Sequence, residues 1–183
     1  MTQHLPWDQL PKTIQDAILV TRSLGVRYLW VDALCILQSE GPDDVKHRED
    51  WSYEAARFGK YYENALLTIA ATGVSSSDQG LFLPRPLLRL EPKSLTFRSG
   101  TPLSYTVRPF TASWLSETLC GPLSKRGWAL QERLLSRRVL HFAENMILWE
   151  CHDCRATELD PPGLHPRRLD TSSQLFLEFM TKC

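Results

Sequence analysis

The sequence predicts one α/β domain, a mostly parallel central sheet flanked by helices, with β-hairpins added in the second half of the chain. Three observations carry this. The length of 183 residues corresponds to about one domain at roughly 150 residues each. Over residues 12–72, segments of helical period alternate with short continuous apolar runs, the order helix, strand, helix, strand that builds α/β sheets. Beyond them come pairs of short β-rich runs separated by turn residues.

The first helix is expected over residues 12–24, where Ile14, Ala17, Ile18, Thr21 and Leu24 recur at helical spacing behind Pro11. Gly25 stands where a helix C-terminal glycine belongs. The run that follows is dense in aromatic and β-branched residues, so residues 28–33 predict a buried parallel strand. Residues 39–48 read as a polar connection broken at Gly41-Pro42. A second helix is expected from about Asp50, because Trp51, Ala55, Phe58, Tyr62 and Ala65 step by four, three, four and three. Asp50 or Glu49 supplies negative charge near its start. Leu-Leu-Thr-Ile-Ala-Ala-Thr-Gly, residues 66–73, predicts the second buried strand.

Residues 75–80 are a loop by composition, and three prolines (Pro84, Pro86 and Pro92) argue against regular structure over residues 84–92. Residues 94–98 and 104–108 predict a hairpin, and a helix is expected from Arg126 or Gly127. Residues 139–142 and 146–150, split by Glu144-Asn145, predict a second hairpin. A proline-rich tail with one short apolar helix starts at Thr157, which divides the chain into a domain of residues 1–156 and a tail of residues 157–183.

Composition excludes several classes. Hydrophobic residues are 43% and charged residues 23%, with 21 basic and 21 acidic side chains, so the chain is not of the disordered type and offers no global charge for nucleic acid. No apolar run approaches the roughly 18 residues of a membrane span, and the N-terminus lacks the pattern of a signal peptide. Five cysteines (Cys35, Cys120, Cys151, Cys154 and Cys183) then read as reduced thiols of a cytoplasmic protein. Cys151 and Cys154 have C-x-x-C spacing with His141 and His165 nearby, but a four-ligand zinc site needs a second pair, so no metal is expected. There is no P-loop, no G-x-G-x-x-G and no G-x-S-x-G. Neutrality conceals an asymmetry: residues 85–138 hold ten Lys/Arg against Glu91, Glu117 and Glu132. That stretch reads as a solvated basic surface, or as a site for a phosphate-bearing molecule or an acidic partner.

Two strings carry a resemblance. Tyr28-Leu29-Trp30-Val31-Asp32 with Cys35 and Gln38, and Arg126-Gly127-Trp128 with Gln131-Glu132-Arg133, are similar in combination to the fungal heterokaryon incompatibility (HET) domain. The resemblance runs from about Leu10 to Cys151. It implies a role in fungal nonself recognition and the cell death that follows fusion of incompatible cells, with protein partners or self-association. The family also looks distantly like TIR domains, many of which cleave NAD with a glutamate on a helix in a Trp-x-x-x-Glu pattern. Trp128 to Glu132 match that spacing with Ala129 in between, so the resemblance implies Glu132 as catalyst and NAD as a dinucleotide substrate rather than a cofactor. The family's opening strand, with its Ser-Tyr-Cys-Trp-Gly-like segment, has no counterpart here, which implies an N-terminally truncated domain.

The residues have a reading of their own. A fixed carboxylate can stabilise the oxocarbenium-like centre formed when a nicotinamide–ribose bond breaks. Trp128, four residues before Glu132, could stack on a base; alternatively Trp128 is core and Glu132 pairs with Arg126 or Arg133. Asp32, expected at a strand's C-terminal end, could bind a ribose hydroxyl or polarise a partner; alternatively it caps its loop or meets an arginine. Cys35 and Gln38 share that loop, Cys35 being expected as a buried small hydrophobe, and Glu54 is expected at the surface or in an ion pair. Substrate contacts are thus expected from Trp128, Asp32, Arg126, Cys35 and Gln38. The expected function is an interaction and effector module in cell death, with an NAD-cleaving hydrolase using Glu132 as the mechanism that could stand behind it and an inactive remnant as the other alternative. The hydrolase requires Glu132 in a cleft facing Asp32 or an arginine, the module an exposed apolar patch, the remnant an open sheet edge.

Overall fold

The computed structural model describes residues 5–85, 93–99, 101–107, 114–158 and 160–164. Helix α1 is Lys12–Ser23, closed by Gly25 at φ +70°. It buries Ala17 and Val20 together with two polar residues, Asp16 and Thr21. Asp16 is 1% exposed because it works as a connector: its carboxylate takes Lys12 of its own helix and accepts the Leu81 N–H at 2.8 Å, tying α1 to the loop before Leu83.

The expected strand at residues 28–33 is absent. The backbone runs extended and then turns into the short helix α2, Asp32–Cys35, and Tyr28 is 82% exposed. A strand is a property of a ladder, and among the described residues no strand pairs with these. Trp30 holds the segment in place instead, with its ring centroid 5.4 Å from Phe58, 5.0 Å from Tyr61 and 6.1 Å from Tyr62.

The expected second helix is two. Helix α3, Val45–Ala55, starts earlier than its apolar stripe, at Asp44, whose side chain accepts the His47 N–H at 3.0 Å. Asp50 thereby falls mid-helix and accepts the Leu37 N–H at 2.8 Å, and Trp51 is 49% exposed. Helix α4, Phe58–Asn64, follows after a break at residues 56–57 and carries the inward half of the stripe.

The sheet corrects the parallel expectation. Strand β1 is Thr68–Ala70, and β2 (Lys93–Ser99) pairs with β3 (Thr101–Val107) as a separate antiparallel hairpin. Helices α5, Trp114–Leu119, and α6, Gly127–Leu135, then precede β4 (Arg138–Phe142), β5 (Ile147–Cys151), β6 (Arg155–Thr157) and β7 (Asp160–Leu164). The order is β1-β4-β5-β6-β7, with only β1 and β4 parallel, so the sheet is mostly antiparallel. Connection length is the reason. β4 to β7 are joined by a few residues each, which permits only antiparallel pairing, whereas β1 reaches β4 through a long crossover containing two helices. Strand β7 and part of β6 lie in the stretch read as tail. The apolar helix expected in the tail lies outside the described residues.

The two faces of the sheet differ. Leu140 and Phe142 of β4 and Ile69 of β1 pack with Ala17, Val20 and Leu81 against α1. On the opposite face, Val139 and His141 alternate with them, and α6 closes this side: the Thr68 hydroxyl meets Ser136 at the end of α6, 2.7 Å away. Beside it Ala143, Met146 and Leu148 pack with Trp114. Gly73 makes the crossing of chains after β1 feasible, since a Cβ there would lie 2.3 Å from the backbone nitrogen of Glu144.

Candidate functional site

A cavity of about 840 Å³ opens between α1, residues 26–32, α4, β1 and α6, within the size of small-molecule sites. Its polar end is made by four residues from four places. Asp32 opens α2, Tyr62 lies on α4, Arg126 caps α6, and Glu132 sits one and a half turns into α6. Helix α6 starts where Arg126 leaves the extended region, and its cavity side is drawn from Ala129, Leu130, Glu132 and Arg133, at the spacing of one helical face.

Glu132 is half-buried. Burial pushes its carboxyl above the usual glutamate range, the hydrogen bond donated by the Tyr62 hydroxyl and the charge of Arg126 pull it down, and the negative Asp32 pushes it up again. The net direction is upward. Tyr62 is raised too, first by burial and then by the charges of Glu132 and Asp32. Two carboxylates and a phenol thus converge on one space with the exposed Arg126 guanidinium beside them, and Glu132 and Tyr62 hold their protons more tightly than free side chains would.

Of the residues expected at a site, Glu132, Asp32 and Arg126 meet at this cavity. Trp128, Cys35 and Gln38 do not line it. Trp128 lies at the first turn of α6 and is 72% exposed. Cys35 is exposed rather than a buried hydrophobe, because α2 turns it outward. Gln38 donates from Nε2 to its near neighbour Ile36, 2.9 Å away. Glu54 accepts the Tyr61 hydroxyl. Cys151 and Cys154 face each other across the β5–β6 turn with their sulfurs 3.8 Å apart. Among the described residues no group of three or more His, Cys, Asp or Glu is arranged to hold a metal ion.

Sequence reasoning missed Tyr62, which it assigned to an apolar stripe. A phenol in such a stripe has a polar tip that must find a partner, and that was the available signal. It also missed a buried network behind the cavity. His141, 2% exposed, lies 3.0 Å through Nδ1 from the Thr72 hydroxyl and 3.2 Å through Nε2 from Glu150. Arg133 Nε donates to the same Glu150 oxygen at 2.7 Å, and Arg155 lies 3.7 Å from the other. Arg155 also stacks over Trp114, 4.2 Å from its centroid. Burial drives His141 below its usual range and so keeps it neutral; a hydrogen on Nε2 then serves Glu150 while Nδ1 accepts from Thr72. Burial alone would raise Glu150, but the imidazole hydrogen bond and the Arg133 charge outweigh it and hold the carboxyl at about 2. Since His141 is neutral, the positive charge in this balance comes from Arg133. Arg133 thereby joins the α6 wall of the cavity to the sheet.

A family model for the heterokaryon incompatibility protein (HET) matches residues 1–132, most of the chain. The chain belongs to the heterokaryon incompatibility family. No curated protein and no solved structure matches it. In this HET chain the matched span ends at Glu132 and contains every residue of the polar cluster, whereas the antiparallel strands β4 to β7 lie beyond it. A heterokaryon-incompatibility-type role in general follows from membership. No helix of the described residues is long and apolar enough to cross a membrane.

Proposed function

We propose that this HET chain is an effector of fungal nonself recognition and cell death, and that its effector step is cleavage of the nicotinamide–ribose bond of NAD at the α4–α6 cavity. The observation that supports this reading is the convergence of Glu132, Asp32, Tyr62 and Arg126 on one space large enough for part of a dinucleotide. The TIR resemblance supplies the reaction class. The carbon–nitrogen bond breaks with its electron pair going to the ring nitrogen, which leaves as neutral nicotinamide. Ionised Glu132 stabilises the positive ribose centre, water adds to that carbon, and its proton passes to solvent. Tyr62 keeps part of Glu132 ionised in spite of burial, Arg126 faces the diphosphate, and Asp32 takes a ribose hydroxyl. In this reading the protein works in the cytoplasm, with activation by a protein partner or by self-association, and without metal, membrane or nucleic acid.

The test is NAD consumption by the purified chain, followed by chromatography of nicotinamide and ADP-ribose. The parent should turn NAD over, and Glu132→Ala should lower kcat by about a hundredfold or more. A folded parent without turnover, or a Glu132→Ala protein as active as the parent, would remove the hydrolase and leave the effector role to binding alone.

A further inference from the structure

Cys151 and Cys154 belong neither to the cavity nor to the Glu150 network, yet the sheet brings them face to face. The register that sets Glu150 against Arg155 makes these two the next opposed pair, closed by the exposed turn His152-Asp153. The Cys151 N–H donates to the Cys154 carbonyl at 3.0 Å, which fixes the rung. Opposed residues send their side chains to the same face, and in a hydrogen-bonded pair their Cα atoms stand about 5.5 Å apart. That lies inside the span of roughly 4.4–6.8 Å that a disulfide accepts without backbone movement. The sulfurs are 3.8 Å apart. Rotation of the side chains brings them to a bonding distance of about 2 Å.

The two thiols are chemically unequal. Burial by itself would raise the Cys151 thiol, but the N–H groups of Asp153 and Cys154 in the turn and the Trp149 indole outweigh it and bring it below the usual range. Cys154 is raised, first by burial and then by its hydrogen bond to Cys151 and the charge there. A thiolate therefore forms first at Cys151, cradled by the turn, with a protonated thiol beside it. Both residues are only half-buried, so a small reagent reaches them.

We infer that Cys151 and Cys154 form a reversible oxidation site whose co-reactant is a low-molecular-weight disulfide of the glutathione class. The Cys151 thiolate attacks one sulfur of that disulfide, its S–S bond breaks, and the other sulfur leaves as a thiolate. Cys154 then gives up its proton, and its sulfur attacks Cys151 in the mixed disulfide and expels the second small thiol. Two protein thiols thus lose two electrons and two protons to become one disulfide, and the small disulfide takes them up as two thiols. The new bond closes the β5–β6 ladder at its turn, one rung from Glu150 and Arg155. Where thiols are otherwise kept reduced, a bond of this kind is transient and sensory rather than structural. The site does not depend on NAD chemistry at Glu132, and its test reads mass rather than turnover.

In that test the full chain is incubated with glutathione disulfide, blocked with iodoacetamide, digested with trypsin and analysed by mass spectrometry. Cleavage after Arg138 and Arg155 leaves both cysteines on one peptide, residues 139–155. This peptide should emerge without alkyl groups and lighter by two hydrogens, and dithiothreitol should restore both thiols. Cys154→Ser should stop after the first step with one glutathione on Cys151, and Cys151→Ser should take up glutathione at Cys154 about tenfold more slowly or worse. A further measurement needs only the parent. At a fixed ratio of glutathione disulfide to glutathione, doubling the total should roughly halve the ratio of bonded to reduced pair, because two glutathiones are released for each bond, whereas an adduct on a single cysteine would not change. Both thiols staying alkylated, or adducts without an internal bond in the parent, would overturn the inference. So would disulfides that join two chains, or equal rates for the two serine variants.

Discussion

Glu150→Gln removes one negative charge from a site built around it and changes almost nothing else in size. The side chain of Glu150 is 11% exposed and faces Arg133 at 2.7 Å, Arg155 at 3.7 Å and the His141 imidazole at 3.2 Å. Its carboxyl is held at about 2 against an ordinary 4.5. At about 1.36 kcal/mol for each pH unit, that difference corresponds to roughly 3 kcal/mol of folded-state stability at neutral pH. The sign follows from the depressed value: the stability is fully present above pH 4.5 and is lost as pH falls towards about 2. His141 adds in the same direction at higher pH. Its folded form resists protonation, so the unfolded chain takes up a proton first as pH falls below 6.5. Glu150→Gln should therefore unfold about 3 kcal/mol more easily in urea at pH 7, or melt about 6 to 12 °C lower for a chain of this size. At pH 3 the gap between variant and parent should shrink to a fraction of that. The assay is a pair of urea titrations at the two pH values, with circular dichroism as readout. A deficit under about 1 kcal/mol at pH 7, or one equal at both pH values, would refute the argument that the Arg133–Glu150–His141 network stabilises the fold through charge.

Two further predictions follow from single contacts. Tyr62→Phe removes the hydrogen bond that lowers the Glu132 carboxyl, so Glu132 should rise further. If ionised Glu132 is the active form, the acid limb of NAD turnover moves to higher pH in this variant, and an unmoved limb would separate Tyr62 from the chemistry. Gly73→Ala places a Cβ 2.3 Å from the Glu144 nitrogen and 2.5 Å from the Ala143 carbonyl carbon, where only backbone could yield. It should cost about 1–3 kcal/mol in a urea titration. Gly41→Ala, with nothing within 4 Å of the new atom, should be neutral and serves as the control.

Much of the fold was legible in local pattern. The spacing of Ile14, Ala17 and Thr21 and the stop at Gly25 predicted α1 nearly to the residue, because a helix is made by contacts within its own few turns. The hairpins β2–β3 and β4–β5 were legible for the same reason, each being a pair of β-rich runs around a short turn. Family membership was legible in the two motif strings, and Glu132 could be singled out from its spacing after Trp128.

What needed the tertiary structure was everything set by a distant partner. Residues 28–33 have the composition of a buried strand, yet among the described residues no strand pairs with them, and a sequence carries no record of which strand its neighbour in a sheet will be. The direction of the sheet was decided by which runs came to lie side by side, so three short connections made it mostly antiparallel in spite of the β1–β4 crossover. The site divides in the same way. Sequence named Glu132, Asp32 and Arg126 as residue types suited to a charged substrate, but not that α4 would bring Tyr62 onto Glu132, nor that Trp128, Cys35 and Gln38 would point elsewhere. Burial and proximity, the two quantities that turn a carboxylate into a site, exist only after the chain has closed on itself.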